Sequence, residues 1–228
     1  MQIISIFLLA IASNIDNLAV AIAYGVKKIK IGSLSNLVIS LVTGSSSYIS
    51  ISSGRTISNY LGSNLSNLTG SFVIIAIGFW VIWDSRQKER NRIRLKLRSR
   101  VPVGIEADKT RFDTATDSLE QFYEVSYKSF IEEPEKADKD KSGYIDVKES
   151  LALALGLAIN NLLSGVGAGI SGFQATITSF LSFIFSLLAI TGGYALGDRF
   201  KIKMSRLWTG ILSGCLLIGL GIYEYFIS

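Results

Sequence analysis

The sequence predicts an all-α integral membrane protein with six transmembrane helices, arranged as two inverted three-helix repeats and joined by a soluble cytoplasmic insert. Three observations predict this class. Six segments are apolar over about 20 residues, the length that an α-helix needs to cross roughly 30 Å of hydrocarbon. Most of the charge lies between Asp84 and Lys148, a segment too polar to enter a bilayer. The two apolar parts on either side of that segment align with each other.

The six apolar segments are the expected membrane spans. They run over approximately 3–26, 33–53, 65–83, 151–170, 177–195 and 207–226. The first lacks the basic region and the small-residue cleavage site of a secretory signal, so we expect it to remain as span one. The chain then divides into a first repeat (1–84), the insert (85–148) and a second repeat (149–228).

Positively charged residues predict the orientation, because short cytoplasmic loops carry an excess of Lys and Arg. With six spans, the first connection, the insert and the last connection share one face. The first and last connections are both basic, through Lys27, Lys28, Lys30, Arg199, Lys201, Lys203 and Arg206. The opposite face carries Arg55. We therefore expect a multi-pass protein with the insert in the cytoplasm and both termini outside.

The two halves of the chain repeat each other. A shift of 144 residues places "NIDNLAVAIAYG" on "AINNLLSGVGAG", so that Asp16 aligns with Asn160 and Gly25 with Gly169. A shift of 143 places "GSFVIIAIGFW" on "SGCLLIGLGIY", and it aligns Thr43 with Ser186 and Gly54 with Gly197. Apolar segments with glycines can align by chance, but one nearly constant offset here serves three pairs of segments in order. Because each half has an odd number of spans, the halves must be inverted relative to each other, as in many secondary transporters.

A carboxylate, Asp16, lies near the middle of span one, and ionisable residues within spans are usually functional. The two-fold axis of the repeat would bring Asp16 and Asn160 together near the membrane midplane. Carboxylate and amide oxygens coordinate hard cations. The candidate substrate site, called the midplane site below, comprises Asp16, Asn17, Asn160, Asn161, Thr43 and Ser47, with Asn14 nearby. The alternative is a protonated Asp16 that bonds to a neighbouring amide or backbone group and serves helix packing.

Hydroxyl residues form stripes at three- and four-residue spacing, which places them on one helical face. Span two carries one and span five another; they comprise Ser40, Thr43, Ser47, Ser50, Ser179, Ser182 and Ser186. Such hydroxyls often bond across a packed interface, but beside a midplane acid they suggest a hydrated route. Gly25 and Gly169 are expected to serve close helix packing. Histidine is absent and the single cysteine, Cys215, is expected to be buried in the last span, so any bound metal must be held by oxygen.

The insert begins with a basic stretch at 86–100, which is expected to contact anionic lipid on the cytoplasmic side. Nucleic-acid binding is not expected for a stretch that directly follows a span. The alternation of Ile93, Leu95 and Leu97 with basic residues is also compatible with a short strand. Further along, "DSLEQFYEVSYKSFIEEPE" predicts an amphipathic helix that ends near Pro134, since proline disfavours helix at the residue before it.

The sequence "DKDKSGYIDVKE", at 138–149, matches the twelve-residue EF-hand calcium loop. In that loop, Gly143 makes the sharp turn and the last residue closes the shell with two oxygens. The predicted ligands of Ca²⁺ or Mn²⁺ are Asp138, Asp140, Ser142, the backbone carbonyl of Tyr144, Asp146 and Glu149. The alternative is an acidic solvated turn before a membrane helix. Since the exiting helix is span four, cation binding could tilt or rotate that span.

The stretches "NIDNLAVAIAYGVKKIKI", "PEKADKDKSGYIDVKESLALALGLAINNLLSGVGAGISG" and "SGCLLIGLGIYE" resemble the YtaF group of bacterial membrane proteins, named for sporulation. That group is similar to the manganese efflux pumps of the MntP type, within the LysE-like transporter superfamily. The resemblance implies a six-helix export protein of the bacterial inner membrane with Mn²⁺ as substrate. By position, Asp16 corresponds to the first-span acid of the pumps and Gly25 to the glycine beyond it. The pumps look to have a second acid where this chain has Asn160, and further acid where it has Thr43 to Ser47.

Two functions from different classes fit these observations. The first is a secondary transporter that exports a divalent cation, Mn²⁺ first, with the EF-hand-like loop as a sensor of Ca²⁺ or Mn²⁺. The alternative is a non-transporting membrane protein, of sporulation type, that senses divalent ions at that loop. An enzyme is not expected, because no histidine exists to act as a base and the serine stripes have no Lys or His partner in a neighbouring span. No organic cofactor is expected, and a homo-oligomer is compatible with the sequence.

Overall fold

The structure, a computed structural model, describes residues 2–61, 63–98, 134–138, 140–200 and 206–227. Within these ranges the chain is almost entirely helical, as expected for an all-α protein. The elements are α1 (Gln2–Lys27), β1 (Lys30–Ile31), α2 (Ser33–Leu61), α3 (Ser63–Arg98), α4 (Pro134–Ala137), β2 (Tyr144–Ile145), α5 (Val147–Ile170), α6 (Ala175–Phe200) and α7 (Arg206–Ile227).

Several of these helices are long and apolar enough to cross a membrane. Among the described residues four qualify outright: Ile3–Lys27, Ser33–Tyr60, Ala175–Phe200 and Leu207–Phe226. A fifth is added if the two halves of α5, Val147–Ile159 and Asn161–Ile170, count as one span; they are inclined to each other by 40°. The chain is therefore an α-helical protein of the multi-pass membrane type. The expected third span, 65–83, lies within α3, and the total of six stays a prediction.

The α3 helix continues well beyond its apolar part. It runs without interruption to Arg98, so the alternating Ile93, Leu95 and Leu97 lie on a helix and not on a strand. The expected boundary between repeat and insert, at residue 84, thus falls inside one helix. The predicted amphipathic helix before Pro134 lies outside the described residues. Pro134 itself begins a helical turn, where its missing N–H costs nothing.

The helices pack in three principal pairs, α1 with α6, α2 with α5 and α3 with α7. The first two pairs run parallel and cross at glycines. A Cβ built on Gly25 would lie 3.1 Å from the Cα of Gly197, and one on Gly54 would lie 3.0 Å from the Cα of Gly169. Small residues let the backbones of membrane helices touch in this way, so Gly25 and Gly169 lie at close crossings, as expected.

The α3 and α7 helices run antiparallel, and two glycines again allow the contact. A Cβ on Gly78 would lie 3.0 Å from the backbone nitrogen of Ile218, and one on Gly221 would lie 3.2 Å from that of Ile75. Large apolar side chains on the outer faces of the helices are exposed, as lipid contact requires. Cys215 belongs to this outer face of α7. Its expected burial is wrong, because the helix turns it away from the bundle.

One end of the bundle brings distant parts of the chain together. The strands β1 and β2 form a parallel pair, with Lys30 opposite Tyr144 and Ile31 opposite Ile145. The end of α6 joins the same face, since Gly25 lies against the backbone of Asp198. The first connection, the end of the insert and the end of α6 therefore lie at one end of the bundle.

Candidate functional site

Two asparagines of α1 bond to hydroxyls of α6. The Nδ2 of Asn14 donates to Ser182 Oγ (3.1 Å) and to the carbonyl of Ala10 (2.8 Å). The Nδ2 of Asn17 donates to Ser186 Oγ (2.8 Å) and to Asn14 Oδ1 (2.9 Å). Both asparagines are buried, and a buried amide must be satisfied inside the protein. The hydroxyls of the α6 stripe thus bind α6 to α1 by accepting these hydrogen bonds.

The α2 stripe extends this network on one side. Ser47 Oγ donates to the carbonyl of Thr43 (3.0 Å) and lies within hydrogen-bonding distance of Ser182 Oγ (3.3 Å). Ser47 and Asn17 are therefore linked through one chain of hydrogen bonds that runs across α2, α6 and α1. The expected grouping of these two residues with the hydroxyls of the two stripes is present in the structure.

Two further residues of the expected site are buried without partners. Both amide atoms of Asn161 and the Oγ1 of Thr43 have no hydrogen bond within the described part of the chain. Asn161 is 1% exposed and Thr43 is 0% exposed. A buried polar group left unpaired costs about 1–3 kcal/mol, so such groups usually face ordered water or a bound polar species. Asn161 on α5 and Thr43 on α2 are therefore two members of the expected site that keep polar atoms available to a ligand.

Asp16 lies half-buried in the middle of α1. It is engaged in an interaction of its own. The helical repeat turns it about 100° from Asn17, so it projects to a different side of α1 from the side that holds Asn17 to α6. Asn160 lies where the two halves of α5 meet. The expected approach of its side chain to Asp16 falls outside what the structure describes.

The EF-hand-like loop, 138–149 and called the cation loop below, is held in shape by its own hydrogen bonds. The backbone N–H groups of Ser142 and Gly143 donate to the carboxylate of Asp138, at 2.9 and 2.8 Å. Ser142 N–H also reaches Asp140 Oδ1 (3.0 Å). Gly143 has φ +75°, a conformation that other residues adopt only with strain. The turn therefore requires glycine at this position, as the motif predicts.

Three carboxylates of the cation loop converge. Single oxygens of Asp138, Asp140 and Glu149 all lie within 4.8 Å of one another. Glu149 is drawn back to the loop because the Asp146 N–H donates to its Oε2 (3.2 Å). Hydrogen bonds from the Ser142 hydroxyl and backbone, together with Asp138, hold the pKa of Asp140 below its usual range. The carboxylate of Asp140 is thus anionic at neutral pH, the form that binds cations.

Of the other predicted ligands, Ser142 and the carbonyl of Tyr144 contact each other, whereas Asp146 lies outside the cluster of three carboxylates. Ser142 Oγ donates to the carbonyl of Tyr144 (2.9 Å), which brings those two oxygens together as the motif expects. Asp146 is exposed and directly precedes α5, and it is not one of the three clustered carboxylates. In EF-hand loops this position often acts through water, and an exposed Asp146 suits that role.

Sequence reasoning missed the surroundings of the cation loop. The N–H of Lys30 donates to the carbonyl of Gly143 (2.9 Å), and Ser35 Oγ donates to the carbonyl of Ile145 (2.7 Å). Tyr24, fully buried in α1 and packed in one cluster with Ala137 and Ile145, has a hydroxyl without a partner in the described residues. The alternation "KIKI" at 28–31 was the available signal for a strand, but four residues are too few to specify a pairing.

Comparison with known proteins identifies one relative over the whole length. The chain is 28% identical over 229 aligned positions, covering 98% of this chain and all of the relative, to the probable sporulation protein YtaF of Bacillus subtilis (strain 168). No family model matches the chain. No solved structure matches it either. The resemblance to the YtaF group, expected from the span-one acid, the cation loop and the half-repeats, is thus confirmed, and the similarity extends over 98% of the chain.

Proposed function

We propose that this protein is a secondary transporter that exports a divalent cation, with Mn²⁺ as the first candidate, from the cytoplasm across the bacterial inner membrane. The observation that carries the proposal is that Asn161 on α5 and Thr43 on α2, two helices packed on each other, are buried with polar atoms that have no partner among the described residues. With the carboxylate of Asp16 they offer charged and neutral oxygens, the set that hard divalent cations prefer. The midplane site is the proposed substrate site.

The packing of the helices supports six spans in two inverted repeats. Under the offset of the repeat, the pair α1–α6 exchanges with the pair α2–α5, and α3–α7 exchanges with itself. The close crossings exchange in the same way, with Gly25 against Gly197 becoming Gly169 against Gly54. A two-fold relation between the halves accounts for all of these contacts together. In transporters built this way the substrate binds near the midplane, where the repeats meet.

A difference between two contacts that are related by the repeat supports a site where α2 and α5 pack together. The bonded pair Asn17–Ser186 corresponds, through the repeat, to the unpartnered pair Asn161–Thr43. The helix that carries Asn161 is also inclined by 40° between its halves. The α1–α6 contact is therefore closed by a hydrogen bond at this position, while the corresponding residues of α2 and α5 keep polar atoms available. An alternating-access transporter needs two such arrangements that can exchange.

The proposal is tested in a manganese-sensitive bacterium that expresses the full chain. Wild type should restore growth in elevated Mn²⁺, and Asp16→Asn and Asn161→Ala should abolish or strongly reduce that growth. Asn59→Ala, which changes an exposed residue at the end of α2, is the matched control and should behave as wild type. Parallel series with Mg²⁺, Ca²⁺ and Co²⁺ identify the ion. Equal growth of all variants, at equal protein level in the membrane, would contradict the proposal.

A second candidate is a membrane protein that senses divalent cations without transporting them. The three carboxylates of the cation loop, which lie within 4.8 Å of one another, favour it. It requires no role for the midplane site, so Asp16→Asn should leave every phenotype unchanged while Glu149→Gln removes cation dependence. Loss of function in Asp16→Asn favours the transporter. Loss of cation dependence in Glu149→Gln, with Asp16→Asn unchanged, favours the sensor.

A further inference from the structure

The cation loop is fastened to the connection between α1 and α2. Within the β1–β2 pair, the Lys30 N–H donates to the Gly143 carbonyl (2.9 Å). At the start of α2, Ser35 Oγ, itself buried, donates to the carbonyl of Ile145 (2.7 Å). The turn of the loop is thus bonded on one side to the end of α1 and on the other to the beginning of α2.

Apolar contacts join the same elements. Ala137 and Ile145 flank the loop ligands, and both are buried in one cluster with residues of α1, α2, α5 and α6; its other members include Val20, Ala21, Tyr24, Ile39, Leu153, Leu157 and Ile190. The cation loop therefore packs directly on the bundle. Any change in the conformation of the loop must be transmitted to the helices that carry the midplane site, because buried groups cannot shift independently of their neighbours.

Tyr24 packs in the same buried cluster as Ala137, which directly precedes the cation loop, and Ile145, which lies within it. Its side chain is fully buried and its hydroxyl has no partner among the described residues. A buried hydroxyl packed against an acidic loop is suited to bonding a ligand oxygen or the water of a bound cation, which is the usual arrangement of outer groups around a metal.

We propose that the cation loop is a regulatory site for a divalent cation held by oxygen ligands, Ca²⁺ or Mn²⁺, and that its occupancy fixes the ends of α1 and α2 through β1. Without a cation, the three carboxylates repel one another. With one, they are drawn together around the turn that carries the Gly143 and Ile145 carbonyls. The α1–α2 connection is therefore held by the occupied loop and released by the empty one. The regulated activity rests on the proposed transport, but the binding site and the coupling do not.

The test uses the full chain in lipid nanodiscs, titrated with Ca²⁺ and separately with Mn²⁺. Binding is measured by calorimetry, and coupling by hydrogen exchange of the backbone at 29–36. In the wild type, saturation should slow exchange there by roughly ten-fold, and exchange in the α5–α6 turn at 171–174, at the other end of the bundle, should not change. Glu149→Gln should lose both the binding and the slowing.

Two variants separate coupling from binding. Ser35→Ala removes the bond to Ile145 and leaves all carboxylates in place, so it should bind cation with little change but show a smaller slowing of exchange at 29–36. Ser33→Ala, at an exposed position two residues earlier on α2, is its matched control and should behave as wild type. Tyr24→Phe keeps the packing but removes the hydroxyl, and should weaken binding by about ten-fold.

Three results would overturn the inference: no binding at millimolar cation, binding that leaves exchange at 29–36 unchanged, or equal slowing in the wild type and Ser35→Ala. If the proposed transport is wrong but the regulatory site is real, the results differ from these. Cation binding and slowed exchange then persist in nanodiscs, while the Asp16 and Asn161 variants grow as wild type in manganese.

Discussion

Asn17 donates a hydrogen bond of 2.8 Å to Ser186, whereas Asn161 and Thr43, their counterparts in the other half of the chain, are buried without partners among the described residues. The same type of contact, between an asparagine and a hydroxyl on two packed helices, is thus made between α1 and α6 and not made between α2 and α5. If the two helix pairs exchange these arrangements during transport, the two hydroxyls should respond differently to removal in the resting protein.

Ser186→Ala should lower the free energy of unfolding by about 0.5–2 kcal/mol, because it leaves the buried Asn17 amide with one partner fewer. Thr43→Val should be neutral or stabilising, since the hydroxyl that it removes has no partner to lose. Thermal unfolding of the two variants in detergent, beside wild type, checks this. A larger loss for Thr43→Val than for Ser186→Ala would show that the hydrogen bonds are distributed differently from the structure.

Gly25→Ala and Gly169→Ala should each destabilise the protein by about 1–3 kcal/mol or more, because the added methyl group meets the backbone of the crossing helix. Gly192→Ala is the matched control within α6, since a Cβ there meets nothing within 4 Å. The measurement is the midpoint of thermal unfolding in detergent. Equal midpoints for Gly25→Ala and Gly192→Ala would contradict the close crossings.

Gly143→Ala should weaken cation binding by the cation loop. No atom lies within 4 Å of the added Cβ, so the change acts only through the positive φ of the turn, at a cost of about 1–2 kcal/mol. Gly172→Ala introduces the same type of strain (φ +81°) at the other end of the bundle and should leave binding unchanged. Calorimetric titration with Ca²⁺ compares the two variants. Equal affinities would show that the conformation of the turn at Gly143 does not affect cation binding.

The basic end of α3 should bind anionic lipid. Arg86 and Arg90 are exposed on this helix where it leaves its apolar part, and each basic residue near a membrane surface contributes about 1 kcal/mol of attraction. Replacement of both by Gln should reduce the anionic lipid that remains with the purified protein, measured by mass spectrometry. Arg55→Gln, at the opposite end of the bundle, should not. Unchanged lipid content in the double variant would contradict the lipid contact.

Local patterns predicted the helices and the shape of the cation loop. Apolar length alone indicates where α1, α2, α6 and α7 lie, because a span must satisfy its backbone internally. The convergence of Asp138 and Glu149 follows from the fixed geometry of a twelve-residue loop. In both cases the information lies within a few turns of chain, so it can be read without knowledge of the fold.

What the sequence could not predict depends on contacts between distant residues. The pairing of Lys30 with Tyr144 joins two-residue strands that lie far apart in the chain, and such short segments carry no periodicity. The rotation of α1 about its own axis, which turns Asn17 toward Ser186 and Asp16 elsewhere, is set by packing. The continuation of α3 to Arg98 shows a related limit: a charged segment that leaves the membrane can stay helical, and charge alone does not mark where a helix ends.

The most direct test of the central claim is Mn²⁺ flux into liposomes that contain the purified full chain. The account predicts flux above that of protein-free liposomes for the wild type. In Asp16→Asn it predicts a fall of at least ten-fold, since a neutral site holds a divalent cation poorly. Flux that is the same in the wild type and in Asp16→Asn, or wild-type flux no greater than that of protein-free liposomes, would contradict it.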